Sequence, residues 1–266
     1  MPALAQPGPP GRIELPYTEV APPADLAAYV DRFWLRTTHG GDPARRHRVL
    51  PDGCVDLIVD LRRGAAEVVG AMTRALEVPA GPAELVAVRF SPGTAAAIAG
   101  CALAELTDRH AEVAALGIAG GALVGRVHDA PRAQGRIAVL VEWLRRRLAG
   151  AAPPDPLVAR AVARLSSADA PRVDQLAREL AVTRQHLARA FRREVGITPK
   201  ELARIARMQR AAAALGRGRV ELARLAVELG YFDQAHLANE LRALVGITPA
   251  GIAAERPVAL AHLYPR

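Results

Sequence analysis

The sequence predicts an α+β N-terminal domain, a small sheet or barrel with helices, followed by an all-α domain that contains two helix-turn-helix units. Three observations support this fold class. Short β-like runs separated by turn residues occupy much of the first 90 residues, and helical patterns follow. Beyond a Pro-rich segment near residue 150, nearly every pattern is helical. In that helical part, a stretch of about thirty residues occurs twice.

The composition is that of a globular protein in a reducing compartment. Hydrophobic residues make up 51% of the 266 residues and charged residues 23%. Two cysteines, Cys54 and Cys101, are too few for a disulfide framework or a four-cysteine zinc site. Without a long apolar run or a signal-peptide pattern, we expect no membrane span and a cytoplasmic location.

The chain divides into five expected parts, of which the segment from Ala149 to Pro156 gives the clearest boundary because it is rich in Pro, Ala and Gly. The parts are a disordered tail at 1–12, an α+β domain at 13–150, a linker at 151–156, an all-α domain at 157–256 and a C-terminal tail at 257–266.

In the first domain, the pattern predicts a helix from about Ala24 to Trp34. Short β-like runs follow, separated by the turn signals PDG and SPG, around 47–50 and at 54–61, 66–70 and 84–90. A strong helix is expected at about 132–149. Its apolar stripe predicts either a dimer seam or domain core, and we favour the seam; the stripe contains Ile137, Leu140, Val141, Leu144 and Leu148.

One predicted strand carries a charged side chain between apolar neighbours. Cys54, Asp56 and Ile58 share one face of this strand, because successive side chains alternate. If Asp56 is buried it needs a partner, which Arg89 on another apolar strand can supply. A structural Asp56–Arg89 pair is favoured over an effector site formed by Trp34, Cys54, Asp56 and Arg89. Trp34 is likewise favoured as a core residue.

Basic charge is concentrated in the helical part. Residues 1–171 hold 19 basic and 18 acidic residues, whereas residues 172–266 hold 16 and 9, a net charge of +7. Such an excess favours a polyanionic partner. The expected helices span about 156–166, 173–180, 184–195, 199–215, 221–229, 234–245 and 249–254.

The repeated stretch runs from Leu176 to Pro199 and again from Leu225 to Pro249. Residues 186–199 match the second copy at nine of fourteen positions with a shift of 50. Before that the shift is 49, so the second copy has one extra residue in its turn. Two packed helices tolerate an insertion in their connecting loop. The repeat therefore predicts two helix-turn-helix units and, with them, DNA binding.

The first predicted recognition helix begins at Arg184 with Thr183 as its N-cap. At 100° per residue, Leu187, Ala190 and Phe191 fall on the inward side, and the polar side carries Gln185, Arg189 and Arg192. Arg189 has the geometry to bind guanine and Gln185 to bind adenine. Over both units, the expected phosphate contacts are Arg184, Arg192, Arg193, Lys200 and Arg242.

The second predicted recognition helix follows Asp233, its expected N-cap. Leu237, Leu241 and Leu244 are expected to pack inward, with Ala235, Asn239 and Arg242 outward. Asn239 can read adenine, Gln234 can reach a base edge or a phosphate, and Ala235 offers only apolar contact, as to a thymine methyl. We expect this second reader to contribute less specificity than the first.

Two further features of the helical part concern histidines and spacing. His186 and His236 occupy equivalent positions and are expected to hydrogen-bond their own turn or a phosphate rather than bind metal. Between the units, about sixteen helical residues span roughly 24 Å, which suits two readers placed in successive major-groove turns. Bending of the DNA would help both to engage.

The repeat closely resembles the DNA-binding domain of the AraC/XylS family of transcriptional regulators. The resemblance covers about 155–256 and rests on VTRQHLARAFRREVGITP (182–199), RMQRA (207–211) and LAVELGYFDQAHLANELRALVGITP (225–249). It implies that the base-reading positions are Gln185, Ala188, Arg189, Gln234, Ala235, His236, Ala238 and Asn239. Leu237 and Leu241 depart from the family pattern, because aromatic residues are common at those positions.

The first half resembles an uncharacterised domain found ahead of AraC-type domains, through RVLPDGCVDLIVD (48–60), VVGAMTR (68–74) and VAVRFSPGTAAAIAG (86–100). In related regulators this half senses a small molecule or mediates dimerisation. The resemblance implies a one-component transcriptional regulator. Its expected partners are double-stranded promoter DNA, RNA polymerase, a small-molecule effector and a second copy bound through helix 132–149; no cofactor or metal is implied.

Two other function classes compete with this interpretation. The first half could be an enzyme acting on a small molecule or DNA lesion with Cys54 as nucleophile. A methyl-accepting, zinc-activated cysteine is known beside AraC-type domains, but it needs a cysteine cluster, and no GxSxG, P-loop or HExxH pattern is present either. A nonspecific architectural DNA binder would be served better by a uniform basic stripe. We therefore expect a binding protein and not an enzyme.

Overall fold

The computed structural model describes residues 17–218 and 220–255. The predicted tails at 1–12 and 257–266 lie outside these ranges. A six-stranded antiparallel sheet with the order β1-β2-β7-β4-β5-β8 dominates the first half, and β3 pairs with β6 separately. The strands are β1 (Tyr17–Val20), β2 (Val30–Thr38), β3 (Arg46–Val49), β4 (Val55–Asp60), β5 (Ala65–Val69), β6 (Leu76–Pro79), β7 (Ala83–Phe90) and β8 (His110–Glu112).

After β7, strand β8 completes the sheet, and the other regular elements of the described chain are two short 3-10 helices, Leu103–Glu105 and Val113–Leu116, and ten α-helices. The α-helices are α1 (Ala96–Ala99), α2 (Gly120–Asp129), α3 (Ala133–Leu148), α4 (Pro156–Ser166), α5 (Val173–Glu179), α6 (Arg184–Glu194), α7 (Pro199–Gly216), α8 (Leu222–Glu228), α9 (Gln234–Val245) and α10 (Pro249–Glu255). The predicted order, an α+β domain followed by an all-α domain, is confirmed. None of the helices in the described ranges is long and apolar enough to cross a membrane.

The four predicted β-like runs are confirmed as β3, β4, β5 and β7, but the helix expected from Ala24 to Trp34 is wrong. Residues 24–29 form turns and residues 30–38 form β2. Strand β2 pairs with β7, whose residues lie some fifty positions later in the chain. Phe33 and Leu35 enter the sheet core in alternation, so long-range pairing overrides the local helical pattern.

Helices α2 and α3 cover one face of the six-stranded sheet. Ile137, Leu140, Val141 and Leu144 of α3 are buried in the same core as the sheet residues, and Leu148 is partly buried against it. The prediction that this stripe of helix 132–149 is a dimer seam is therefore wrong, because the chain's own sheet already covers it. An apolar stripe has the same spacing in either role, and the sheet needs a cover.

The second core belongs to the helical domain and is centred on α7. All seven helices expected after residue 155 are confirmed within one or two residues. A capping box fixes the start of α7: the Thr198 hydroxyl accepts from the backbone N–H of Glu201, and the Glu201 carboxylate accepts from the backbone N–H of Thr198. Leu50 and Ala71 of the first half also belong to this second core, so the two domains share buried apolar contacts.

Candidate nucleic-acid interface

The first candidate reader is α6, and its two faces are divided as the spacing predicts. The Thr183 hydroxyl accepts a hydrogen bond of 3.1 Å from the backbone N–H of His186, which caps the helix. The inward side chains are buried and the predicted reading side is exposed. Buried are Leu187, Ala190 and Phe191; exposed are Gln185, Arg189 and Arg192.

The second candidate reader, α9, repeats this arrangement. The Asp233 carboxylate accepts a hydrogen bond of 2.7 Å from the backbone N–H of His236, so the predicted cap is confirmed. The side chains of Leu237, Leu241 and Leu244 are buried. Exposed are Gln234, Ala235, His236, Asn239 and Arg242.

Equivalent hydrogen bonds in the two turns show where the extra residue of the second unit lies. The backbone N–H of Val182 donates to Ala177, and that of Tyr231 donates to Ala226, at 2.9 and 2.8 Å. These pairs are related by a shift of 49, whereas the capping residues Thr183 and Asp233 are related by 50. The inserted residue is therefore Phe232, which lies between Tyr231 and the cap.

The expected phosphate contacts differ in how far their charges are already paired. Within the described chain, Arg192 and Lys200 have no carboxylate within 4 Å. Arg193 lies 2.5 Å from Glu194 and 3.7 Å from Asp155, and the hydrogen bond to Glu194 raises its pKa. The other two are Arg184, which is 3.6 Å from Asp174, and Arg242, which donates to the Asn239 side chain at 3.3 Å. Arg192 and Lys200 are thus the freer cations.

His236 is held by its own turn, as expected. Its Nδ1 accepts a hydrogen bond of 3.2 Å from the backbone N–H of Phe232, and its ring lies edge-on to Tyr231 at 5.3 Å. In the neutral ring, Nε2 is then the nitrogen that carries the hydrogen. The described residues contain no group of three His, Cys, Asp or Glu side chains that could hold a metal ion.

A buried carboxylate joins α9 to α7, and the sequence reasoning missed it. Glu240 accepts from Arg204 Nε at 3.3 Å and from Arg207 Nη2 at 3.0 Å. The Arg207 guanidinium also lies 4.5 Å from the centre of the Tyr231 ring. The equivalent residue of the first unit is Ala190, so only the second candidate reader is held to α7 by a buried carboxylate. An acidic residue inside the leucine stripe of α9 was the available signal.

Three of the four candidate effector residues of the first domain, Trp34, Asp56 and Arg89, are joined by hydrogen bonds on the sheet face opposite α3. Trp34 Nε1 donates to Asp56 Oδ1 at 2.7 Å, and Arg89 binds Asp56 through Nε and Nη2 at 3.0 to 3.3 Å. The predicted Asp56–Arg89 pair is confirmed. Arg89 Nη1 is also 3.2 Å from Asp52 Oδ2, a neighbour that sequence reasoning did not include. The buried charges are paired within the cluster, which favours a structural role.

Cys54 is buried beside this cluster, and its backbone N–H donates to Asp52 Oδ1 at 2.9 Å. Burial, reinforced by the nearby Asp52 carboxylate, raises the pKa of the Cys54 thiol well above its usual value. For Arg89, burial opposes the charge, but Asp56 and Asp52 outweigh it and hold the pKa of the guanidinium above its ordinary range. The cluster is therefore an ionic network beside a buried cysteine whose raised pKa disfavours the thiolate.

The N-terminal domain contacts both helix-turn-helix units at the C-terminal ends of their readers. After α6, the Gly196 carbonyl accepts from the Thr107 hydroxyl at 2.7 Å. At the end of α9, the Leu244 carbonyl accepts from the backbone N–H of Ala75 at 2.7 Å, and the Val245 carbonyl accepts from Arg48 Nη1 at 3.2 Å. The candidate base-contacting side chains nearer the helix N-termini remain exposed.

Two family models match the chain. Residues 18–112 match a family described as a domain of unknown function (DUF6597). Residues 176–254 match a family described as a helix-turn-helix domain, over both of the capped readers. The C-terminal domain is of the AraC type. The chain therefore carries an AraC-type DNA-binding domain of the kind found in transcription regulators.

Several solved structures are similar to this chain. The C-terminal domain of AraT, a response regulator from Geobacillus stearothermophilus, is 24% identical and covers 41% of this chain and 93% of its own, with a TM-score of 0.35. ToxT from Vibrio cholerae is 9% identical and covers 90% of this chain and 97% of its own, with a TM-score of 0.40. No curated protein matches the chain. Because both TM-scores are below 0.5, neither likeness bears on the function of this chain.

Proposed function

We propose that the chain is a sequence-specific transcriptional regulator in which one polypeptide reads two successive major-groove segments of promoter DNA. The observation that carries this proposal is the pair of equivalent capped helices, α6 and α9, each with a buried apolar side and an exposed polar side. The chemistry of the exposed sides suits base edges. The proposed base-reading residues are Gln185 and Arg189 in α6, and Gln234, Ala235, His236 and Asn239 in α9.

The docking of the N-terminal domain supports a regulatory role for it. Its loops contact the ends of both readers, so a change in these loops would alter how the readers are placed relative to each other. Asp52 of the buried ionic network is adjacent to Pro51, whose carbonyl oxygen accepts from Gln209 of α7. The ionic network is therefore one residue away from a direct hydrogen bond to the helix that connects the two units. A small-molecule effector that alters the network would act on α7 through this hydrogen bond.

The cluster around Cys54 favours a binding function over the enzymatic alternative. The nucleophilic form of cysteine is the thiolate, which a buried site with a raised pKa disfavours. A binding protein without catalysis is accordingly part of the proposal. A cytoplasmic location and contact with RNA polymerase at the promoter belong to it as well.

Selection of bound DNA from a random library, at fixed salt and with the full chain, tests the proposal. We expect a motif of two short blocks about ten base pairs apart, as for two readers in successive major grooves. A matched variant in which Arg189 and Asn239 are both replaced by Ala should lose enrichment in both blocks. Recovery of DNA without sequence enrichment by the wild-type chain would contradict specific recognition.

A further inference from the structure

Phe232 is the inserted residue of the second turn, and its side chain is almost fully in solvent. It is 88% exposed, compared with 72% for Val227 and less than 40% for Val20 and Val220, the other exposed large hydrophobics of the described chain. Single exposed apolar residues are common on protein surfaces, so exposure alone assigns no role. The position of this ring in the second unit is what distinguishes it.

Phe232 lies at the N-terminal end of α9, the end that would enter the DNA groove, and its backbone is held there. The backbone N–H of Phe232 donates to His236 Nδ1, and the next residue, Asp233, caps the helix. Phe232 therefore directly precedes the cap and the first reading residues, Gln234 and Ala235. The first unit has no counterpart, because Val182 is followed at once by its capping residue Thr183.

We propose that Phe232 is a base-contacting residue of the second reader and packs against the C5-methyl group of a thymine. This inference rests on the proposed function. The thymine methyl is the only apolar group that a base pair presents in the major groove, and phenylalanine is a side chain that recognises it. Together with Ala235, Phe232 supplies apolar recognition to a helix that has few hydrogen-bonding groups. The second block is therefore expected to contain a thymine that hydrogen bonds do not specify.

Thymine-to-deoxyuridine replacement tests this contact, because it removes only the methyl group. In the selected operator, each thymine of the second block is replaced in turn, and binding is measured for the wild-type chain and for Phe232→Ala. One replacement should weaken wild-type binding about fivefold, whereas Phe232→Ala should bind about tenfold more weakly than wild type and be insensitive to that replacement. Phe232→Leu should restore part of the affinity.

Matched controls separate this contact from general damage. Phe232→Ala should unfold at the same temperature as the wild type, because the side chain is exposed, and it should respond normally to replacements in the first block. Val227→Ala, at the other highly exposed hydrophobic of this unit, should leave the selected motif unchanged. The inference would be overturned if Phe232→Ala bound the operator as tightly as the wild type. It would also be overturned if this variant bound all operators equally more weakly and still lost affinity at every thymine replacement that weakens the wild type. A wild-type chain that selects no motif would instead refute the proposed function.

Discussion

The side-chain amide of Gln209 donates a hydrogen bond of 2.6 Å to the carbonyl oxygen of Pro51. Both residues are buried, and the bond links the middle of α7 to a loop of the N-terminal domain. Because α7 connects the two readers, this bond holds the N-terminal domain to the element that sets their separation. The two domains are therefore expected to unfold and respond as a coupled pair.

Replacing Gln209 by Leu should destabilise the chain by about 1–3 kcal/mol, because the buried Pro51 carbonyl loses its donor. The free energy of unfolding, measured in denaturant, checks this value. Gln175→Leu is the matched control: Gln175 is exposed on α5, so its loss should cost less than about 0.5 kcal/mol. Equal effects of the two substitutions would show that the interdomain bond is unimportant.

Replacing Glu240 by Gln should loosen the second reader from α7, because Arg204 and Arg207 lose their shared carboxylate. We expect a loss of about 1–3 kcal/mol in unfolding free energy, since hydrogen bonds to charged groups are involved. In a DNA selection, enrichment of the second block should fall and that of the first block should persist. Glu228→Gln, in an exposed pair with Arg224, should cost at most about 0.5 kcal/mol and leave both blocks intact.

Replacing Arg189 by Ala should weaken the binding free energy by about 1–3 kcal/mol for the preferred base at one position of the first block. Specificity at that position should relax. The exposed guanidinium has no carboxylate partner within 4 Å in the described chain, so it is available for a bidentate contact. Competition binding against operators substituted at each position gives the measurement. Equal weakening on every sequence would instead make Arg189 a phosphate contact.

Salt dependence should separate Arg192 from its neighbour Arg193. Loss of one phosphate contact lowers the slope of log affinity against log salt concentration by about one, which is the change expected for Arg192→Ala. Arg193→Ala should change the slope less, because Glu194 and Asp155 already pair with that guanidinium. Titrations of operator binding over a range of salt concentrations show which of the two substitutions lowers the slope more. The reverse order would mean that these ion pairs break when DNA binds.

Stability should fall in weak acid because of His47 on β3. Burial, and then the nearby Arg36 charge, lower the pKa of His47 from 6.5 to about 4. Between these values the unfolded chain binds the proton and the folded chain does not, so stability is lost as pH falls through this window. For His47→Asn, the unfolding free energy should differ less between pH 7 and pH 5 than it does for the wild type. Identical pH dependence of both proteins would contradict the assignment.

Local signals explain why the helical domain was predictable and the first domain only partly so. Caps such as Thr183 and Asp233 mark where helices begin, and the repeat fixes their faces. Strand β2 is instead determined by pairing with the distant β7, whereas its local pattern alone predicts a helix. Strands β1, β6 and β8 are short, between three and four residues, and give little periodic signal.

The candidate sites show the same division between local pattern and distant contact. Alternation along β4 predicted that Asp56 needs a partner, and Arg89 was identified from its own apolar strand. Asp52 was missed because it lies in a turn, where side-chain direction has no simple period. Glu240 could have been noticed inside the apolar stripe of α9, but its pairing with α7 depends on how the helices pack.

The spacing of the two blocks tests the central claim most directly. Binding of the full chain to the selected operator is compared, at fixed salt, with binding to the same operator carrying five extra base pairs between the blocks. Five base pairs turn the second block by about half a helical turn, so that one rigid chain cannot reach both grooves. A two-headed reader should then bind at least about tenfold more weakly, as it would to a single block. Unchanged affinity would show that α6 and α9 do not read the DNA together.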